Sequence, residues 1–276
     1  MSPEPKETDL LMKFEIDNFP AEYRSYYSVK RNNLFSRIQE FNALWQLYIH
    51  LDEMWMREFS DLQSVQEPYS MLPLLCCMNA HAKMRVSLEL AFSDCLAESR
   101  SILRDAIEFF AHAHAMCNDT SLQKIWLNKV IGKQELEAFR DAFERNKKQG
   151  LFKDLDELHK TWGQLSETGS HANAIAMAER FVQIEIGDNV EFRLNYTGSE
   201  TRMWATSVFT MLLTCSTMEK TFFSDYNERL KLDTELLLKR TAFDNAKEQL
   251  RASIINTFQL SPPGGIHRPK STIYTP

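Results

Sequence analysis

Four polar side chains recur at every fourth position of an otherwise apolar stretch: Arg100, Arg104, Glu108 and His112. Residues four apart stack on neighbouring turns of a helix, so this spacing predicts one stripe of two guanidiniums, a carboxylate and an imidazole. Lining a cleft, the arginines would bind phosphate or carboxylate, and His112 or Glu108 would move a proton. The same spacing suits an intrahelical ion-pair ladder at a helix edge or an interface, because charges buried without partners are costly.

A second polar cluster follows in Leu165–Asn173, LSETGSHAN, where Gly163 and Gly169 interrupt helix and Ser166, Ser170, His171 and Asn173 gather. Such side chains can face a ligand or cap the next helix. Arg104, Glu108, His112 and His171 are therefore the catalytic candidates, and Arg100, Ser166, Ser170 and Asn173 the ligand-binding ones. No metal or cofactor is expected. A carboxylate metal site in a helical bundle wants two Glu-x-x-His motifs on facing helices, and the chain has none. His112 and His114 point about 200° apart on a helix and could not share one ion. Glycine-rich phosphate loops, a GxSxG elbow and zinc-finger spacings are also missing.

The elements that must position these residues follow from where helix breakers fall. No glycine precedes Gly132, and no proline lies between Pro73 and Pro262, so long helices are expected through the middle of the chain. Apolar residues at helical spacing predict one amphipathic helix over 21–62. Its aromatic residues, among them Tyr23, Tyr26, Tyr27, Trp45 and Trp55, suit core and interface packing or a stacking surface for bases. A central helix runs from a Ser70 cap, with Pro73 in its first turn, to about Cys117. Charged helices follow over about 120–132, 133–148 and 151–165, Ser199 caps an apolar helix to about Phe223, and a last helix spans about 226–258.

Residues 180–196 switch to period two and predict a β-hairpin. A three-residue loop, Gly187-Asp188-Asn189, would pair Ile186 with Val190 and put the apolar side chains on one face. The expectation is thus a mainly α multi-helix bundle with long central helices and one hairpin. Residues 1–18 are expected to be flexible, 19–259 to form a single helical domain, and 260–276 to be a disordered tail.

Bulk properties narrow the function classes. The 276 residues are 43% hydrophobic and 25% charged, an ordinary globular composition. A net charge of −6 argues against non-specific coating of nucleic acid, so any RNA contact needs a local basic patch. Five cysteines without a CxxC pair read as free thiols of a cytoplasmic protein. The acidic, proline-bearing start MSPEPKETD is unlike a signal peptide. The apolar run Met203–Met218 is shorter than the roughly 18–20 residues that span a bilayer, so no membrane partner is expected.

The segments SRSILRDAIEFFAHAHAM and LHKTWGQLSETGSHAN, followed by the hairpin region, resemble a group of uncharacterised bacterial helical proteins over about residues 90–196. These in turn are similar to the HEPN helical bundles, which include toxin ribonucleases and nucleotide-binding modules. The resemblance implies a dimer whose facing helices bring Arg and His together on RNA, in stress or phage defence. The Arg104–His112 spacing is longer than that family's hallmark, so a ribonuclease here would need Arg104 and His171 to meet in space. Three functions are therefore expected in this order: a non-catalytic, homodimeric interaction module; a HEPN-like RNA- or nucleotide-acting protein; and a bundle-type small-molecule or metal enzyme.

Overall fold

With breakers so scarce, hydrogen bonds between backbone groups four residues apart can propagate over long stretches, and the structure is mainly α-helical. A computed structural model describes residues 20–62, 68–167, 181–186, 189–194, 197–230 and 234–259, the side chains of 68–70 and of the two strands excepted. The expectations for the N-terminal 18 residues, the tail from 260 onward, and Ser170, His171 and Asn173 lie outside the described residues.

The helices are α1 (Ala21–Glu40), α2 (Asn42–Asp61), α3 (Pro68–Phe92), α4 (Leu96–Asn118), α5 (Ser121–Asn128), α6 (Lys133–Phe139), α7 (Asp156–Leu165), α8 (Thr201–Tyr226) and α9 (Thr234–Phe258). A π-helical turn, Arg140–Glu144, prolongs α6. One cluster of buried apolar side chains runs through α2, α3, α4 and α8. At its centre Trp55 packs against His81, Phe110 and Phe222 at ring separations of 5.5, 6.3 and 4.9 Å. No described helix is long and apolar enough to cross a membrane.

Two helices expected to be continuous are each divided in two. The first breaks at Phe41 (φ −120°, ψ 48°), where the apolar periodicity carries straight on and neither Pro nor Gly marks the site. There the Phe41 ring lies 5.0 Å from that of Trp204, so tertiary packing sets the bend. The central helix breaks between α3 and α4, where Asp94 takes a left-handed φ of 63°. The Cys95 N–H donates to Leu90 O at 2.8 Å and the Asp94 N–H to Ala91 O at 3.0 Å, the Schellman pattern that closes a helix C-terminus. Aspartate tolerates this backbone region better than most residues, so the stop needs no glycine. α3 and α4 thereby fold back on each other as a helical hairpin, tied near the turn by the Ser87 hydroxyl donating to Ser99 O at 2.8 Å.

Arg37 holds the broken ends together. It pairs with Asp94 at 2.9 Å, donates to Ser199 O at 2.9 Å, and lies 4.7 Å from the centre of the Trp204 ring. It is also the buried residue of α1, whose tyrosines 23, 26 and 27 and Phe35 are exposed.

Smaller expectations also shift. α3 begins at Pro68, so Pro73 falls inside the helix rather than in its first turn. Glu200, not Ser199, caps α8, its carboxylate accepting from the Arg202 and Met203 amides, a charge well placed at a helix N-terminus. The last helix starts at Thr234, after a short 3₁₀ turn at Asn227–Arg229. The backbone of Phe181–Ile186 runs antiparallel to Asn189–Leu194, pairing Ile186 with Asn189 rather than with Val190.

A buried ionic cluster ties α2, α8 and α9. Arg240 of α9 donates to both Glu58 and Glu219, and both carboxyl groups are fully buried. Burial, and then the charge of Glu219, push the Glu58 carboxyl well above the carboxylate range. One guanidinium and one retained proton thus serve two carboxyl groups.

Two stability predictions follow from these ionic groups. Arg37→Met should cost about 3 kcal/mol in urea unfolding, because it leaves Asp94 buried and unpaired. The folded chain keeps a proton on Glu58 that the unfolded chain releases, so this group's contribution falls as pH rises above the ordinary carboxyl value. Glu58→Gln should therefore raise the urea midpoint at pH 8 relative to wild type and narrow the difference between pH 5 and pH 8.

Candidate functional site

The α4 stripe opens onto a cleft of about 510 Å³. Arg104, Glu108 and His112 all line it, along with Asp105 and Phe109. The opposite wall comes from Trp126 of α5, Phe139 of α6, Phe143 of the π turn, and Lys129 and Lys147 from the connections. Arg100 does not join them. Each step of four residues on a helix advances the side chain about 40° around the axis, so a stripe of four slants by about a third of a turn. Arg100 accordingly reaches α8, donating to the Ser207 hydroxyl at 3.4 Å.

Glu108 anchors the polar end. Its carboxylate accepts from Trp162 Nε1 at 3.1 Å and lies 3.5 Å from Arg104 and 3.7 Å from Lys147. Arg104 donates through Nε to the Ser166 hydroxyl at 2.8 Å, and Ser166 donates in turn to Trp162 O at 2.8 Å. Two of the sequence clusters therefore meet at the Arg104–Ser166 bond. The Arg104 guanidinium and the Lys147 ammonium also sit 4.7 and 4.3 Å from the centre of the Trp162 ring, so that indole orders two cations as well as one carboxylate. The ion-pair ladder expected as the structural alternative exists between Arg104 and Glu108, at the edge of the cleft rather than in place of one.

His112 occupies the apolar end. Its ring stacks on Phe139 at 5.9 Å and meets Phe143 edge-on at 4.8 Å. Nδ1 is buried with no hydrogen-bond partner among the described residues, as is Trp126 Nε1. Burial pushes the imidazole down to about 4, with Lys129 and Lys147 adding to the effect and Glu108 opposing it. At neutral pH His112 is thus an uncharged ring carrying a spare polar atom, able to accept or donate one hydrogen bond according to its tautomer.

Lys129 differs from the other cations. Its ammonium lies 4.4 Å from the centre of the Trp126 ring and 4.8 Å from that of Phe139, and it forms no ion pair among the described residues. Trp126, Lys129, Phe139, Phe143, Lys147 and Trp162 were not singled out from the sequence. Phe139, Phe143 and Lys147 recur every four residues, the same spacing that marked the α4 stripe, and that pattern could have found them. Among the described residues no group of three or more His, Cys, Asp or Glu is placed to hold a metal ion.

No protein-family model matches the chain, and neither a curated protein nor a solved structure matches it.

The His112 environment has a measurable consequence. An imidazole held neutral in the fold but protonated in the unfolded chain costs nothing above its ordinary value near 6.5, and costs progressively more as pH falls from there toward 4. At pH 5 the penalty should be up to about 2 kcal/mol. His112→Phe should remove that part of the acid destabilisation, read as a smaller drop in urea midpoint between pH 7 and pH 5 than in wild type.

Proposed function

We propose that this protein is a small-molecule-binding helical module whose working part is the cleft between α4 and the α5–α7 segment. The observation that carries this reading is the convergence of Arg104, Glu108 and His112 on one solvent-reachable cavity whose lining also includes the aromatic rings of Phe109, Trp126, Phe139 and Phe143. Its volume, about 510 Å³, is in the range of ligand pockets, which combine apolar walls with a few placed polar groups. The spare Nδ1 of His112 and Nε1 of Trp126 support it further, since a buried polar atom without a partner is costly until something bonds to it.

An RNA- or nucleotide-acting, HEPN-like function is the second reading, favoured by Arg104 and His112 lining the same cleft. It asks more of the charges present. A phosphate backbone is gripped by a row of cations, whereas Arg104 and Lys147 both share Glu108. A homodimeric interaction role is compatible with either reading and is supported by the exposed aromatic residues of α1, Tyr23, Tyr26, Tyr27 and Phe35. Sedimentation equilibrium of the full chain tests it directly, and a monomer at 100 μM would refute it.

The ligand reading predicts that a screen of metabolite-sized compounds, mononucleotides and a short single-stranded RNA will include a small molecule that shifts the indole N–H resonances of Trp126 and Trp162. Arg104→Gln, which also loosens Ser166 and Glu108, should weaken that ligand about tenfold. Shifts produced by RNA alone, with strand cleavage lost in Arg104→Gln, would replace this reading with the second one.

A further inference from the structure

The balance of charge around the cleft narrows what it can take. Each carboxylate that lines it already has a cation. Asp105 lies 3.3 Å from Arg104 and 3.6 Å from Lys83, Glu108 has Arg104 and Lys147, and Glu144 has Arg140 at 3.9 Å. Lys83 brings positive charge in from beyond the lining, while Arg140 is shared with Glu137 at 2.8 Å. Lys129 remains with aromatic rings for neighbours and no carboxylate among the described residues. An incoming cation would have to take a carboxylate from an existing partner, whereas an incoming anion meets an ammonium that has none.

Two further features lie beside Lys129. Trp126, whose ring its ammonium covers, has a buried Nε1–H with no acceptor among the described residues. A nitrogen-bound hydrogen close to an ammonium is a pair of donors suited to the oxygens of one anionic group. Beside it Phe139 and His112 stack on each other within 22° of parallel, and the buried Phe143 packs against both, 5.1 Å from Phe139 and 4.8 Å from His112, so the cleft meets the rim of this aromatic cluster. Aromatic walls of this kind favour a planar ring by offset or edge-on stacking.

Resting on the small-molecule reading above, we infer that the ligand is a planar aromatic anion, its carboxylate or phosphate held by Lys129 Nζ and Trp126 Nε1 and its ring set edge-on against the rim of the Phe139–His112 stack. A ring substituent that bonds to His112 Nδ1 completes the fit, so a hydroxylated or amino-substituted ring binds better than a bare one. Arg104 and Lys147 close the far end through Glu108 without supplying the anion site.

The test uses the full chain and calorimetric titration with 4-hydroxybenzoate, 2-naphthoate, indole-3-acetate and phenyl phosphate, each against an uncharged counterpart (the amide of each acid, and phenol for the phosphate), with inorganic phosphate as the ringless control. The expected result is that at least one aromatic anion binds at least about tenfold tighter than its neutral partner, and that inorganic phosphate does not bind at comparable concentration. Lys129→Met should abolish the preference for the charged form over its neutral partner, and Lys129→Arg should keep it. The Trp126 indole N–H resonance should move with the anion and not with the neutral compound. Equal affinity for charged and neutral partners, or a preference that survives Lys129→Met, overturns the anion site while leaving a ligand cleft in place. If neither the aromatic compounds nor any member of the broader screen shifts Trp126 or Trp162, the ligand reading itself falls.

Discussion

Arg37 is the side chain on which the arrangement of the long helices depends. It stands where three chain segments end or begin: the close of α1, the left-handed turn between α3 and α4, and the start of α8. A buried guanidinium is tolerable only when its donors and charge are met, and here a carboxylate, a backbone carbonyl and an indole face meet them from three directions. Asp94 is bound by the same contact to a backbone conformation that an L-residue adopts reluctantly. The orientation of α4, and with it everything α4 presents, follows from that turn.

The cleft is built on a different principle. α4 supplies a rigid polar row, while the opposing wall comes from short helices and turns that would not order themselves alone. What fixes them is the traffic through Trp162, which donates to Glu108 and lies beneath Arg104 and Lys147. The polar end of the cavity is thus largely saturated by its own groups, and its capacity to bind something else is concentrated at the opposite end, around His112, Trp126 and Lys129. Burial that keeps His112 uncharged serves this division, because a charged imidazole among Phe139 and Phe143 would repel the neighbouring lysines and demand a counterion of its own.

The sequence was most legible where periodicity alone decides the outcome. The helical character, and the grouping of Arg104, Glu108 and His112 on one face of α4, follow from spacing and from the scarcity of breakers. The divisions at Phe41 and Asp94 were not legible, because neither is marked by glycine or proline: one is set by packing of Phe41 on Trp204, the other by a carboxylate whose strained backbone is offset through Arg37, 57 positions away in the chain. Arg100 was misplaced because a four-residue repeat drifts around a helix with a period of 3.6. The far wall is not legible because its cations and aromatics are spread over α5, α6, the π turn and their connections, and only tertiary structure brings them to one place. The Arg104–Ser166 bond lies between these cases: both residues stood out on the page, but their meeting could not be read there.

The π turn at Arg140–Glu144 sets where the end of that wall points. Such a turn closes its hydrogen bonds over five residues instead of four, as the Arg145 amide does here onto Arg140 O at 2.9 Å, and so it holds one residue more than the α-helical turn it replaces. Without that extra residue Arg145 to Lys147 would each step back one position, about 100° where the backbone stays helical, and Lys147 would be carried away from the Trp162 ring it now sits 4.3 Å from.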